Sequence, residues 1–523
     1  MDLFIRGGTI VDGANTLIFN GNIGIQNGKM ALVQPGTEPS HIENASQVIE
    51  ATGLIVTPGF IDAHTHSDMV FFHEPRPDMK LRQGVTTEIS GNCGSTAAPA
   101  NEKNLHLLDP FAIETVETIG TYNNFAGYLE KVQKHGLINN QAVLVGHKAI
   151  RTMVMGMQAR KANPDELSAM KDLLAESLDQ GGLGLSSGLF YPPMCFADTN
   201  ELIELCRVTA GRGKIFACHI RNYSSEVFQA VGEMLEVAEK SGVAVQISHI
   251  MVAGRSNWGK SDQLLATIDH ARQKGLDVSF DQYPYRAAVP GLLALLPPWM
   301  HEGGVDCTIE RFNDSKLREK ARKDIINGLP GWENVSHQAG WENLVVLSNK
   351  IGDMSNSSIQ AIADHQQLDP PSVVFSILLK DPYCNLIAHW VDEEDVISFM
   401  QPNCQMWGSD SAEPGPLAHP RTYGAYPKIL REYVFEKHVL SLERAIHKMT
   451  LLPAKRFGLK NRGMIKKGWA ADLTIFDPQT IAARSTFEHP DQYPEGIKYV
   501  IVNGKLAVKG GKTNLANYGI VLS

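Results

Sequence analysis

Residues 58–68 read PGFIDAHTHSD. An apolar run, Leu54, Ile55 and Val56, stops at Pro58 and Gly59. Phe60 and Ile61 resume it, and His64 and His66 then stand one residue apart. Side chains two apart on a strand share a face, so both imidazoles aim at one point where the strand ends. Neutral imidazole is the commonest metal ligand, and that point suits a cation. Two surface histidines at a strand end would fit this stretch equally well, so the rest of the chain decides.

The theme recurs. Short apolar runs ending in polar residues cover Leu54–Ala63, Thr86–Cys93, Ala142–His147, Gly182–Gly188, Ile215–His219, Val243–His249, Val278–Tyr283 and Gln405–Asp410. Helical stretches separate them, among them Pro164–Gln180, Asn200–Gly211, Ser224–Ser241 and Ser261–Lys274. Eight β units alternating with helices point to an α/β fold, a parallel (β/α)8 TIM barrel. A sheet covered on both faces also explains why the runs are apolar rather than alternating. A doubly wound sheet is the alternative. The gap between the seventh and eighth runs exceeds one βα unit, so an insertion of about residues 288–376 is expected after strand 7, over the barrel mouth, where long loops act as lids.

The two ends resemble each other and not the middle. LFIRGGTIVDG and GNIGIQNGKMALVQPG near the start, and IKYVIVNGKLAVKGGK near the finish, are β-rich with hairpin turns at QNGK and VNGK. Neither end is long enough for a core of its own. One small β-sandwich domain built from residues 1–56 and 465–523 is expected, with the catalytic barrel at 57–464.

Composition narrows the class. The 523 residues are 43% hydrophobic and 20% charged, with net charge −9. That suits a globular enzyme and gives no basic footprint for nucleic acid. Seven scattered cysteines suit a reducing compartment better than a disulfide framework. The N-terminus lacks a signal-peptide pattern, and no apolar run approaches the ~20 residues of a membrane span. A cytoplasmic protein acting on a small molecule is expected, as a monomer or small homo-oligomer.

In a barrel the reactive residues stand at the C-terminal strand ends. There the sequence places His64, His66, Cys93, His219, His249 and Asp410. Each has an ordinary structural reading alone, as a buried small residue, a satisfied core histidine or a helix cap. Five strand ends carrying such groups on one rim point to a metal. Nitrogen and sulfur donors favour Zn2+ over magnesium or calcium, and Cys with two His matches catalytic sets that leave a position open.

TPGFIDAHTHSD, SGNCG followed by AAP, HIRN, ISHIMVAGRSNWGK and WGSD resemble the amidohydrolase superfamily, and within it the D-aminoacylases (N-acyl-D-amino-acid deacylases). SGNCG is the specific element, because most relatives bridge their metals with a carboxylated lysine and the fourth run, GGLGLSSGLFYPP, offers none. The resemblance implies one tight zinc on Cys93, His219 and His249. It implies a weaker second site on His64, His66 and Asp410, with Cys93 able to bridge. It further implies hydrolysis of the amide of an N-acyl-D-amino acid to a carboxylate and a free D-amino acid. Asp410, also the catalytic residue, would take the water proton and return it to the leaving nitrogen. A substrate α-carboxylate calls for arginine and phenol donors, and the resemblance assigns Arg421, Tyr191 and Tyr283. The chain departs from its relatives at Met251, where lysine is common, at Lys148, where glycine follows histidine, and at Arg286, where many have threonine. Lys148 and Arg286 are therefore expected to shape the side-chain pocket. A cyclic amide hydrolase of hydantoinase or dihydroorotase type would instead need a carbamylated lysine, for which Lys148 is the rim candidate. A non-catalytic metal scaffold would leave Asp410, Arg421 and the insertion without a role.

Overall fold

The computed structural model describes residues 1–16, 18–36, 45–412 and 414–523. Leu17 and residues 37–44 of the expected terminal β segment lie outside the described residues. Phe60–Asp62, Val85–Ser90, Asn140–Val143 continued by Val145–Gly146, Gly184–Gly188, Ile215–His219, Ala244–Ile247, Val278–Gln282 and Gln405–Trp407 are eight parallel strands, each paired with the next. The last returns to the first. Ala63 N–H donates to the Trp407 carbonyl at 3.1 Å, Asp410 N–H to the His64 carbonyl at 2.8 Å, and His66 N–H to the Ser411 carbonyl at 2.8 Å. The seam closes the ring, whereas a doubly wound sheet would leave two free edges. Nearly every strand residue is buried, because side chains fill the inside and helices cover the outside.

The helices between strands start and stop where local chemistry requires. Pro164–Asp179 opens with a capping box in which Asn163 and Glu166 satisfy each other's amides, with Pro164 pre-set for the first turn. Thr199–Ala210 opens on Asp198, whose carboxylate accepts from Glu201 N–H at 2.9 Å. Val227–Ser241 ends on Gly242 in the left-handed conformation.

The termini meet in one sheet of nine strands. Leu3–Val11 pairs with Ile18–Gln26, Val48–Glu50 and Ile55–Pro58, and Ile55–Pro58 pairs with Leu473–Phe476 from the other end of the chain. The sandwich takes the form of one hydrogen-bonded sheet that curls, so that Ile5, Ile23, Met30, Leu473 and Ile501 share one core. Its two NG turns, Asn27-Gly28 and Asn503-Gly504, have positive φ at both residues, as a tight hairpin requires. They abut each other so closely that a Cβ on Gly504 would fall 2.7 Å from Gly28 Cα. The last residues leave this sheet: Gln141 of the third barrel strand donates its N–H to the Ile520 carbonyl and accepts from Leu522 N–H.

The insertion carries its own antiparallel sheet of Ala287–Ala288, Leu344–Leu347 and Asn385–His389. It therefore continues past the boundary expected near 376. Gly254 N–H and the Trp258 indole both donate to the Trp390 carbonyl, which ties it to the loop after the sixth strand. Among the described residues, no helix is long and apolar enough to cross a membrane.

Candidate metal centre

The strand ends converge on Cys93. Its Sγ lies 3.5 Å from His64 Nε2, 3.5 Å from His249 Nε2 and 3.8 Å from His219 Nδ1. Beyond His64, Asp410 Oδ1 stands 3.4 Å from His64 Nε2 and 3.2 Å from His66 Nε2. His64, Cys93, His249 and Asp410 each offer a ligand atom, all within 4.8 Å of one another. Donors bound tetrahedrally at ~2.0–2.3 Å stand about 3.3–3.8 Å apart; the three contacts of Cys93 Sγ fall in that range, and the donor set suits zinc. His219 joins the group through Cys93, and His66 joins it through Asp410.

Three of these residues bend the chain in an unusual way. Cys93, His249 and Asp410 have φ of 52°, 32° and 51°. Residues other than glycine seldom adopt that region, and they persist there only when the surroundings hold them. At Cys93 the holder is Ser186, whose hydroxyl donates to the Gly91 carbonyl and accepts from Gly94 N–H at 3.1 Å. Gly94 has no room for a side chain, since a Cβ would meet Met194 Sδ at 2.2 Å. At His249 the holder is Asp281 on the seventh strand, which accepts the His249 N–H at 2.7 Å through Oδ1. The same oxygen lies 3.1 Å from His64 Nδ1, and Gln246 donates to Oδ2 at 2.9 Å. Asp281 thus turns His64 Nε2 toward the centre, as carboxylates do behind metal-binding histidines. At Asp410 the holder is the seam. Asp62 Oδ1 accepts from Ser409 N–H at 2.8 Å, and buried Lys80 donates to Asp62 Oδ2 at 2.5 Å and also to the Ser409 hydroxyl.

Protonation follows from burial and neighbours. Burial pushes the Cys93 thiol up, but the charge of His64 and the hydrogen bonds of His219, His249 and His64 outweigh it and hold the group well below its ordinary range. Burial likewise opposes ionisation of Asp410, and Arg421, then His249, His66 and His64, keep it well below the usual carboxylate range. Burial and neighbouring His249 lower His219 to about 4, leaving a neutral ring with a free lone pair. For His66 burial is outweighed by Asp410 and Cys93, which raise it to about 9.

The remaining expected residues divide. Arg421 is buried beside the centre, its Nη1 2.8 Å from Asp410 Oδ2 and its guanidinium carbon 4.6 Å over the Tyr283 ring. The His419 ring accepts the Arg421 N–H at 3.0 Å through Nδ1. Tyr191 packs on His219 with ring centroids 4.9 Å apart. Burial lifts both phenols above their ordinary range, so they stay protonated donors. Lys148 is held away from the donor group, its ammonium donating to Asp109 at 2.7 Å. Arg286 is exposed and does not join the site. Its carbonyl accepts from Val391 N–H at 3.2 Å and its Nε donates to the Val391 carbonyl at 3.3 Å, which anchors it at the root of the insertion. The sequence reading missed Asp281, although it stands two residues before Tyr283 on one strand face, and it missed Ser186 and Lys80. Position at a strand end signals Asp281; the other two act through partners remote in sequence.

The profile of the amidohydrolase family matches residues 47–508. The chain belongs to the amidohydrolase family. This amidohydrolase is 32% identical to a D-aminoacylase from Alcaligenes xylosoxydans xylosoxydans, over 96% of its own length and 93% of that protein's. It resembles the N-acyl-D-glutamate deacylase from Bordetella bronchiseptica, solved with zinc and a phosphonate mimic of the tetrahedral intermediate. The TM-score there is 0.83 at 30% identity, covering 100% of this chain and 99% of that one. A D-aminoacylase described as having a binuclear metal centre, with one-metal activation and second-metal attenuation, matches with the same TM-score of 0.83, at 30% identity and the same coverage. The amidohydrolase thus shares an α/β fold with relatives of which one was solved with zinc and another has a binuclear metal centre, and it carries a His, Cys and Asp group of its own that could hold a metal.

Proposed function

We propose that this chain hydrolyses N-acyl-D-amino acids, releasing a carboxylate and a free D-amino acid. One observation carries the reading. A single buried carboxylate, Asp410, faces His64 and His66 through one oxygen and Arg421 through the other, beside the Cys93 donors. That arrangement joins a proton acceptor to an anion-binding guanidinium at one point, which amide hydrolysis of an acidic substrate needs.

Cys93, His219 and His249 would hold one zinc tightly. His64, His66 and Asp410 would form a weaker site, with Cys93 between the two. Zinc bound there supplies a Lewis acid for the acyl oxygen and a water of pKa near ~7. The protein's own groups do the rest. Asp410, kept ionised by Arg421 and the histidines, takes the proton of the attacking water and returns it to the departing nitrogen. The guanidinium of Arg421 has five N–H donors. One amino group engages Asp410, and the remaining edge is offered to the substrate α-carboxylate. Tyr191 and Tyr283, both protonated, donate to the same carboxylate or to the acyl oxygen. Asp281 and Ser186 fix the donors so that little reorganisation accompanies the reaction.

Two fixed points, the acyl carbon at the metal group and the α-carboxylate at Arg421, orient the Cα. Exchanging its hydrogen and side chain inverts the centre, so one enantiomer meets open space and the other meets the wall. The relatives' names favour the D hand. The chain's occupied cations favour no cyclic amide chemistry, since Lys148 is bound to Asp109 and stands outside the donor group. The test is hydrolysis of a panel of N-acetyl and N-formyl D- and L-amino acids, with metal analysis of the same preparation. Release of D-amino acids by zinc-containing protein is the expected result. A zinc-loaded preparation that opens hydantoins or dihydroorotate and spares every linear amide would replace the reading.

A further inference from the structure

The inserted segment sends one carboxylate against the loop that follows the fifth barrel strand. Glu333 lies between the helices Ser315–Asn327 and Val335–Ala339 and is only 3% exposed. It accepts the Tyr223 N–H at 2.7 Å. Tyr223 is equally buried and is fixed at three further points. Its hydroxyl donates to the Ser248 carbonyl at 2.9 Å and accepts from Ile220 N–H at 3.1 Å, and its carbonyl accepts from Ala253 N–H at 2.8 Å. Ile220 directly follows His219, and Ser248 directly precedes His249. The phenol therefore clamps the backbone beside each of the two histidines. Its ring also meets both of theirs, edge-on to His219 with centroids 5.0 Å apart and tilted to His249 at 5.2 Å. Asn222, whose side chain accepts from Ser224 N–H at 2.8 Å and Glu226 N–H at 3.0 Å, stiffens the turn that carries Tyr223.

A buried carboxylate is costly unless hydrogen-bonded, and the only covalent route from Glu333 to the barrel runs through the insertion. The fold places it against the loop whose tyrosine touches both histidines. We propose that Glu333 is a positioning residue for the metal: through Tyr223 it sets the separation and angle of His219 and His249, so that the insertion takes part in building the centre. This rests on the reading that Cys93, His219 and His249 hold zinc.

The test is zinc release to a chromogenic chelator from the holoenzyme, with thermal denaturation of the same samples and the absorption spectrum of the Co(II)-substituted proteins. Partners behind metal ligands contribute about 10–100-fold to affinity, so Glu333→Ala is expected to release zinc about 10–100-fold faster and to shift the Co(II) bands. Glu333→Gln retains a carbonyl acceptor for the Tyr223 N–H and is expected to stay close to wild type. Tyr223→Phe, which keeps the ring and loses both hydroxyl bonds, is expected to fall between them. Folded Glu333→Ala with wild-type release and spectrum overturns the inference, as does Glu333→Gln behaving like Glu333→Ala. If Glu333→Ala does not fold, Tyr223→Phe decides, and wild-type release from it overturns the proposal. Wild-type protein that binds no zinc would instead overturn the metal reading itself, which separates the two failures.

Discussion

In the proposed centre, the half made by Cys93, His219 and His249 is held by loops, by aromatic packing and by Asp281, which accepts the His249 N–H. Ser186 brackets the Cys93 turn, and Tyr223 packs against both histidines. The half made by His64, His66 and Asp410 is held by charge, with Asp281 behind His64, Lys80 and Asp62 behind the seam, and Arg421 on Asp410. The first half offers a thiolate and imidazole nitrogens, a set that binds zinc strongly. The second surrounds its one carboxylate with three cationic or potentially cationic partners, which keep it ionised. On the proposed reading, metal retention falls to one half and proton handling to the other.

Breaking the first half is expected to have the largest effect. Cys93→Ala removes the atom on which three histidines converge. It should lose most of its zinc and its activity while keeping the fold, because the barrel core does not depend on the thiol. Metal analysis and circular dichroism check this, and a full zinc equivalent with normal turnover would contradict it.

Breaking the second half should separate the two roles. Asp410→Asn is nearly isosteric but takes no proton. Zinc on the Cys93 half should survive while kcat falls by at least ~10²-fold, the low end of acid–base contributions. Paired metal content and steady-state kinetics measure it.

Arg421→Ala sharpens the comparison further. It removes a partner of Asp410 and the anchor for the substrate anion. A charge-assisted hydrogen bond contributes about 1.5–3 kcal/mol, so KM should rise about 10–100-fold, with a weaker preference between D and L substrates. Lost positioning should also lower kcat. Unchanged KM for N-acyl-D-amino acids would remove Arg421 from substrate binding.

A charged cluster outside both halves supplies the smallest effect on turnover. Glu201 is buried against His147 at 2.9 Å and pairs with Arg151. Burial alone would raise its pKa, but His147 and Arg151 outweigh it and lower the group from 4.5 to about 2. The folded state therefore binds fewer protons than the unfolded chain between those values. Stability from this group is complete above about 4.5 and is lost as pH falls toward 2. Glu201→Gln should flatten the acid limb of the stability curve, read by denaturation at stepped pH, and leave zinc content unchanged.

Much of this was legible in the chain because barrel chemistry concentrates at strand ends. The runs ending in His64, Cys93, His219, His249 and Asp410 mark their own faces by period and position, and NG pairs announce the two hairpins. What stayed hidden depends on contacts between distant segments. Lys80 carries no signal of its own in the sequence, because its role depends on the seam that brings Asp62 and Ser409 to it. Arg286 reads as a pocket residue until its backbone pairs with Val391 and turns it outward. The insertion's end was misplaced because Asn385–His389 finds its partners only within that segment.

The division of labour is tested most directly by titrating Co(II) into apoprotein while following thiolate-to-metal charge-transfer absorption and hydrolysis of an N-acyl-D-amino acid together. Both signals should rise in step and saturate at one equivalent, because the Cys93 half fills first and suffices for turnover. Charge-transfer absorption that saturates while activity waits for a second equivalent, or activity without any thiolate absorption, would contradict the account.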